Sequence, residues 1–529
     1  MKVVPPMLFA IASALVLALG GLAAAGARGP DAQGPAKACH AHLAPGVIAG
    51  KKVCLKAGQR CLRGYDTQYH RFGFHCHASG RLTRRRARPP TAATAPRLGV
   101  LRRSSLDAPG YVFVAPKDGA GQQGPEIVDD RGRPVWFHPI SHGDQATDFR
   151  VQRYRGEPVL TWWQVSGFGG VASGTAYIAD SSYHVITTLQ AGNGLGANGH
   201  ELVLTPQGTA LVTIEHEVPY DLSSVGGPKD GKVDEGVVQE IDVASGRVLF
   251  EWHSLDHVAL DESYAPVESP YDYFHINAVN LDNDGNLLVS GRHTWTVYKI
   301  DRATGAMLWR LGGKRSDFTL GPGAQFAWQH DPLPAGDGTI SLFDNEGNGS
   351  TRVLSHSRVI WLHLDSGAKT ATLVKEIPHP LSLSAASQGN AQGLDNGNTF
   401  VGWGALGRVS EFDPQGKLIF DAVLPARSDT YRGYRAAWVG RPDTQPTATA
   451  WTNANGTTTV HAIWNGATEV AAWRVRGGRV PKALAPIRTA RWDGLDTTLK
   501  IPGLPQEVQV VALDAHGNVI GTSRPVRVD

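Results

Sequence analysis

Three segments of this chain repeat one pattern, and that repeat limits the fold more than any other feature of the sequence. NGHELVLTPQGTALV, FHINAVNLDNDGNLLV and WQHDPLPAGDGTISL each pass from a short extended run through a Gly-containing turn into a strongly apolar run. His200 stands eight residues before Gly208, His275 ten before Gly285, and His330 eight before Gly338. Recurrence over tens of residues signals repeat architecture, and β-repeats of this size predict a propeller. The first strand of every blade then lines a central channel, so the three imidazoles converge on one pocket.

A second unit recurs between these hairpins. DDRGRPVWF, IDVASGRVLFEW, IDRATGAMLWRL, LDSGAKTATLV and FDPQGKLIFDA each place Asp shortly before Gly and follow with alternating apolar residues. Asp accepts local backbone bonds and Gly supplies a positive φ, which is hairpin chemistry. Five inner hairpins can be counted directly. A sixth blade assembles from PGYVFVAP near Tyr111 and YRGYRAAWVG near Tyr431, which closes the ring and removes its exposed edges. The expected fold is therefore all-β, a six-bladed β-propeller over residues 109–442.

Three other segments flank it. Lys2, an apolar run from Met7 to Leu22 and Ala25-Gly26-Ala27 predict a secretory signal over residues 1–27, cleaved on export. No later run reaches the length needed to span a bilayer, so no membrane span is expected. All four cysteines, Cys39, Cys54, Cys61 and Cys76, fall within residues 36–82. In an exported protein they predict a disulfide module whose pairing the spacing leaves open. Nearby histidines offer a metal knot instead, but the spacing lacks paired C-x-x-C ligands. Residues 83–108 are basic and rich in Pro and Ala, which predicts a solvated linker. Residues 445–529 alternate apolar and polar residues between Asn-Gly and His-Gly turns, predicting a fibronectin type III-like β-sandwich. A net charge of +3 gives nucleic-acid binding no electrostatic support.

The candidate site builds on the third repeat. Its returning strand reads LLVSGRHTW, so Arg292 ends a strand antiparallel to the one that begins at His275. Asn277 lies two residues after His275, and period-2 alternation places both on one face. An imidazole, a carboxamide and a guanidinium, joined by His200 and His330, suit transfer of an anionic group; no carboxylate pair for glycoside hydrolysis stands out. By the same alternation His293 faces away from Arg292 and reads as structural. Trp328 and Trp403 are candidates to stack on an aromatic substrate, although propeller tryptophans often pack between blades.

FHINAVNLDNDGNLLVSGRH, KIDRATGAMLWRLGGKRSDF, WQHD, ISLFDNEGN and QGLDNGNTFVGWG together resemble the arylsulfotransferase family, the sulfotransferases independent of PAPS. The resemblance covers about Tyr111 to Pro442. It implies a six-bladed propeller, no cofactor or metal, and ping-pong transfer of sulfate from an aryl sulfate ester to a phenolic acceptor. The His of the Q-H motif, which becomes transiently sulfated, falls on His330. The H-x-N motif falls on His275 and Asn277, S-x-R-H on Arg292, and the earlier His-Glu motif on His200, the candidate general acid and base. Two other functions fit parts of the pattern. One is a metal-dependent propeller lyase or hydrolase using the histidines; the other is a non-catalytic, exported carbohydrate-binding or adhesion propeller. Export also leaves open release to the medium or retention at the cell envelope.

Overall fold

The computed structural model describes residues 44–48, 51–62, 69, 74–76, 80–84 and 95–529, with 120, 142 and 168–172 excepted. The predicted signal segment and Cys39 lie outside the described residues. The chain divides into two units, Met1–Arg88 and Pro89–Asp529.

In the first unit two hairpins, Ala44–Ile48 with Lys51–Leu55 and Phe74–Cys76 with Leu82–Arg84, supply the regular structure. Ile48, Leu55, Tyr69, Phe74, Cys76 and Leu82 form its core. Cys61 and Cys76 are joined by a disulfide with Cα atoms 5.7 Å apart, and Cys54 is also disulfide-bonded. So small a core gains from such cross-links, which restrict the unfolded chain.

The second unit is all-β, built from strands and short 3-10 turns. Its larger part is a succession of six sheets, antiparallel except that the short strand Thr319–Leu320 pairs in parallel with the last strand of the fourth. The first sheet runs Asp144–Tyr154, Glu157–Ser166, Ser173–Ala179, Val185–Leu189, and the second Ala197–Leu204, Thr209–Tyr220, Gly231–Asp242, Val248–His253. A single pairing, Gly174 with Ala197, joins these two. The third is Ile276–Leu281, Leu287–Gly291, Thr296–Ile300, Met307–Gly312; the fourth is His330–Pro334, Thr339–Asp344, Arg358–Asp365, Thr370–Pro378. The fifth is Asn390–Gly393, Thr399–Gly402, Arg408–Phe412, Leu418–Val423, extended by Gly99–Arg102 from the segment expected to be a solvated linker. The sixth combines both ends of the region: Tyr434–Ala436 pairs with Tyr111–Val114, followed by Glu126–Val128 and Pro134–Phe137. The turns behave as the sequence requires, with Gly208 and Gly285 at φ 81° and 83°, which a side chain would strain.

In the first five sheets the first-named strand lies against that of the next, Gln392 of the fifth bonds Arg435 of the sixth, and Tyr434–Ala436 lies against Asp144–Tyr154. These inner strands are stitched mainly by carboxamides. Gln152 donates to Leu202 O, Asn198 to Ile276 O, Asn277 to Gln329 O, Asn280 to Pro332 O, Asn390 to Gly433 O and Gln392 to Arg435 O. Buried carbonyls that no ladder reaches thereby acquire donors. Beneath them lies an ionic network. Arg432, two residues before the strand Tyr434–Ala436, meets Glu201 at 2.8 Å, Asp331 at 3.2 Å and Asp148 at 3.7 Å, bringing together side chains from three sheets.

Residues 445–529 form two further antiparallel sheets. One is Thr447–Thr452, Thr457–Ile463, Asp496–Pro502; the other centres on Ala472–Gly478 and Glu507–Leu513. They share a core that includes Val460, Trp473, Val475, Leu499, Ile501 and Val510. Asn465 anchors this part to the sixth sheet by exchanging bonds with the backbone of Phe137, 2.9 Å each way.

Candidate active site

Sheets one to four each carry a register shift in or opposite the inner strand: between Thr161 and Trp163, Ala197 and Leu202, Ile276 and Ala278, and His330 and Leu333. A bulge re-aims the side chains beside it. Here the shifts lie at the end of the strands where a cavity of about 680 Å³ opens, and His200, His275, Arg292 and His330 all line it. Residues at equivalent repeat positions, far apart in sequence, thus meet in one place.

His330 is 2% exposed. Its Nδ1–H donates to Asn345 Oδ1 at 2.7 Å, and its Nε2 accepts from the Gln388 backbone N–H at 3.2 Å. Those partners fix the tautomer and leave the lone pair on Nε2. Asn345 is held in turn, donating to Ala385 O and Gln388 O. Burial, reinforced by the Arg292 guanidinium, holds the His330 imidazole well below its usual pKa, so the ring is neutral.

Arg292 is 8% exposed. It donates to Ala386 O and to His293 Nε2, 2.9 Å each, while its Nε is buried without a partner. Burial lowers its pKa to about 10, so it stays cationic at neutral pH. His293 does not face away from it, as strand alternation had suggested. The strand ends at Gly291, and Arg292 and His293 sit in the following turn, where alternation does not apply. His293 Nδ1–H donates to Asp272 O, and burial lowers its pKa to about 4, so it is a neutral acceptor that orients Arg292.

His275 precedes its strand at φ 50° and donates Nδ1–H to Asp272 Oδ2 at 2.6 Å; Glu215 Oε1 is 3.5 Å from the same nitrogen. Burial works against its charge, but Asp272 and Glu215 outweigh burial and raise its pKa. His200 packs edge-on to His275 and Tyr431, with ring centroids 5.4 and 5.5 Å away. Its Nδ1 is buried and unpartnered, and burial followed by the His275 charge holds the ring well below its usual pKa. A neutral His200 has no proton to give from an imidazolium and offers a ring nitrogen that can accept one.

Asn277 is not in the cavity lining. The bulge between Ile276 and Ala278 breaks the alternation that was to place it beside His275, and its amide instead holds Gln329 O, one residue before His330. Trp328 and Trp403 also lie elsewhere. Trp328 is 4% exposed and packs on Trp295, while Trp403 is fully buried, donates to Ser410 Oγ and packs among Phe343, His379 and Phe412. Tyr431 is the aromatic residue that reaches the cavity among the described residues. Sequence reasoning did not single out Asn345, Glu215, Asp272 or Gln388. Asn345 lies within ISLFDNEGN, but the other three stand in no motif that marks them.

Among the described residues two groups could hold a cation: His200 with Glu215 and His275, and Asp272 with His275 and His293, each with candidate ligand atoms within 4.8 Å of one another. His275 Nδ1 is already bound to Asp272 and the Arg292 guanidinium lines the same cavity, which disfavours a divalent ion there.

Residues 150–424 match the sequence model of a known family, described as Arylsulfotransferase (ASST). No curated protein matches the chain. Among solved structures it is similar to a protein of unknown function from Bacteroides caccae, at 14% identity over 62% of this chain and 100% of the other, TM-score 0.37. It is also similar to a catalytically inactive virginiamycin B lyase from Staphylococcus aureus with quinupristin, at 8% identity over 66% and 94%, TM-score 0.33. A streptogramin B lyase matches at 12% identity over 70% and 95%, TM-score 0.30.

Proposed function

This chain belongs to the arylsulfotransferase family, and from that premise we propose that it moves a sulfuryl group from an aryl sulfate ester to a phenolic acceptor through a sulfated His330. On this reading the six sheets are the blades of one six-bladed propeller. The disulfide unit and a fibronectin type III-like sandwich flank it, and the protein is exported. The disulfide supports an extracellular setting, and no described helix is long and apolar enough to cross a membrane.

The observation that carries the reading is the tautomer of His330. Asn345 holds its Nδ1–H, so the lone pair sits on Nε2 in a ring that burial keeps neutral. Sulfuryl transfer, like phosphoryl transfer, spreads charge over non-bridging oxygens in a loose transition state. Arg292, with an unpartnered Nε, supplies a fixed cation for those oxygens, and His275 and His200 supply neighbouring ring nitrogens. The Gln388 N–H now bound to Nε2 becomes free to donate to a sulfuryl oxygen once that nitrogen is bonded. Asn277 positions the His330 strand through Gln329 O. The test is intact-protein mass spectrometry after exposure to nitrophenyl sulfate. One added sulfo group on the wild type and none on His330→Ala supports the assignment; an adduct on both overturns it.

A second reading rests on the His200, Glu215 and His275 group, a donor set that suits zinc or manganese. It predicts stoichiometric metal in the purified protein and loss of turnover on chelation. Sulfuryl transfer predicts neither.

A further inference from the structure

Sulfuryl transfer uses one end of the cavity, around His330 and Arg292. The remaining wall bears on what the acceptor carries beyond its reacting hydroxyl. The cavity volume is about 680 Å³. Pockets of about 300–1,000 Å³ hold drug-sized ligands and are usually lined by apolar and aromatic side chains. Here the reverse holds. Among the described residues Val165 and Tyr431 are the apolar side chains of the lining, and the Tyr431 hydroxyl donates to Asn277 O.

Polar groups extend up to the reacting nitrogen. Gln388 donates its backbone N–H to His330 Nε2 at 3.2 Å, while its side-chain Oε1 is buried with no hydrogen-bond partner. A buried acceptor without a donor is costly, and an arriving hydroxyl satisfies it. Lys117 and Asp429 also line the cavity. They are tied by reciprocal backbone bonds of 3.0 and 3.1 Å and by an ion pair of 2.7 Å. Asp429 stands two residues before Tyr431, whose ring packs edge-on to both His200 and His330. Gln145 and Thr147 add a carboxamide and a hydroxyl from the first sheet. Thr147 donates to Gly199 O, which leaves its oxygen able to accept.

This wall does not select an ion. Lys117 and Asp429 balance each other, and Asp118, 3.2 Å from Lys117, has a side chain 55% exposed to solvent. A balanced pair, a carboxamide and a hydroxyl set donors beside acceptors without net charge. That arrangement matches a group that both donates and accepts, the hydroxyl. Resting on the sulfuryl-transfer reading, we infer that the acceptor is a phenol bearing a neutral, hydroxyl-rich group of the glycoside class, recognised by Gln388 Oε1 and the Lys117–Asp429 pair. The sugar hydroxyls donate to Gln388 and Asp429 and accept from Lys117. In the transfer the phenolic oxygen bonds to sulfur, the S–N electron pair returns to His330 Nε2, and the phenolic proton is released.

The experiment forms the sulfo-enzyme with nitrophenyl sulfate and measures its discharge by three acceptors of similar acidity at equal, sub-saturating concentration. These are para-methoxyphenol, para-butoxyphenol and para-hydroxyphenyl glucoside. The inference predicts that the glucoside discharges the enzyme at least about tenfold faster than the methoxyphenol, the effect of one or two net hydrogen bonds. The longer butoxy chain should gain nothing. In Gln388→Leu and in Asp429→Asn the ratio of glucoside to methoxyphenol rates should fall toward one. A glucoside no faster than the methoxyphenol, or a butoxyphenol as fast as the glucoside, overturns the inference while leaving His330 as nucleophile. A ratio unchanged in both variants overturns it as well. Should neither variant fold, the two wild-type comparisons decide. No adduct on the wild type overturns the sulfuryl-transfer reading, and this inference with it.

Discussion

A histidine that attacks sulfur must keep its lone pair, and two features of His330 secure it: burial, which keeps the ring neutral, and Asn345, which binds the other nitrogen. A histidine of ordinary pKa loses nucleophilicity as pH falls through about 6.5. With its pKa held well below that value, His330 remains neutral there. Nitrophenol release should stay level as pH drops from about 7 to about 6; a halving centred near 6.5 would show an unperturbed ring. Asn345→Ala removes the acceptor for Nδ1–H and leaves a buried donor unsatisfied, at about 1–3 kcal/mol. If that loss falls on the reacting ring, release should slow by about 10- to 100-fold. A variant that releases nitrophenol at the wild-type rate would remove Asn345 from the mechanism.

The repeat was legible at the scale of elements because its cause is local. Turn glycines and alternating apolar runs fix the hairpins, and His200, His275 and His330 occupy matching places in three of them. The errors came from bulges and turns, which obey no period. Asn277 sits at the shift between Ile276 and Ala278, and His293 lies past the end of its strand, so alternation misplaced both. Trp328 and Trp403 were misjudged for another reason: residue type does not distinguish a wall of the cavity from a wedge between sheets. Asn345 and Glu215 come from the second strand of a sheet or its end, where the repeated histidines gave no signal. Asn277→Ala tests the stitching role. Ser290 Oγ lies 3.4 Å from the same carbonyl, so the stability loss should be near the lower end, about 1 kcal/mol. Denaturant midpoints should report it, and an unchanged midpoint would show that the carboxamide bond adds nothing.

Across residues 109–442, the inner strands contact one another while, apart from the Gly174–Ala197 pairing, their backbones pair within sheets, so side chains supply much of the connection between sheets. Arg432 has a large part in this, because Glu201, Asp331 and Asp148 converge on it from three sheets. Arg432→Met strands those carboxylates in a buried site. Breaking such a network by removing one partner costs about 3–5 kcal/mol. Chemical denaturation should show a loss of that size; a loss below about 1 kcal/mol would mean that the network relaxes or hydrates. The pairing of Tyr434–Ala436 with Tyr111–Val114 could be anticipated, because the two segments stand at opposite ends of the repeat region. The fifth sheet's extra strand, Gly99–Arg102, lay hidden in a segment whose composition reads as linker.

The most direct measurement is the mass of the intact protein after brief exposure to nitrophenyl sulfate without acceptor, for wild type and His330→Ala. The account predicts one added sulfo group on the wild type alone, lost when phenol is supplied. An adduct that survives in His330→Ala, or one on the wild type that phenol does not discharge, would contradict it.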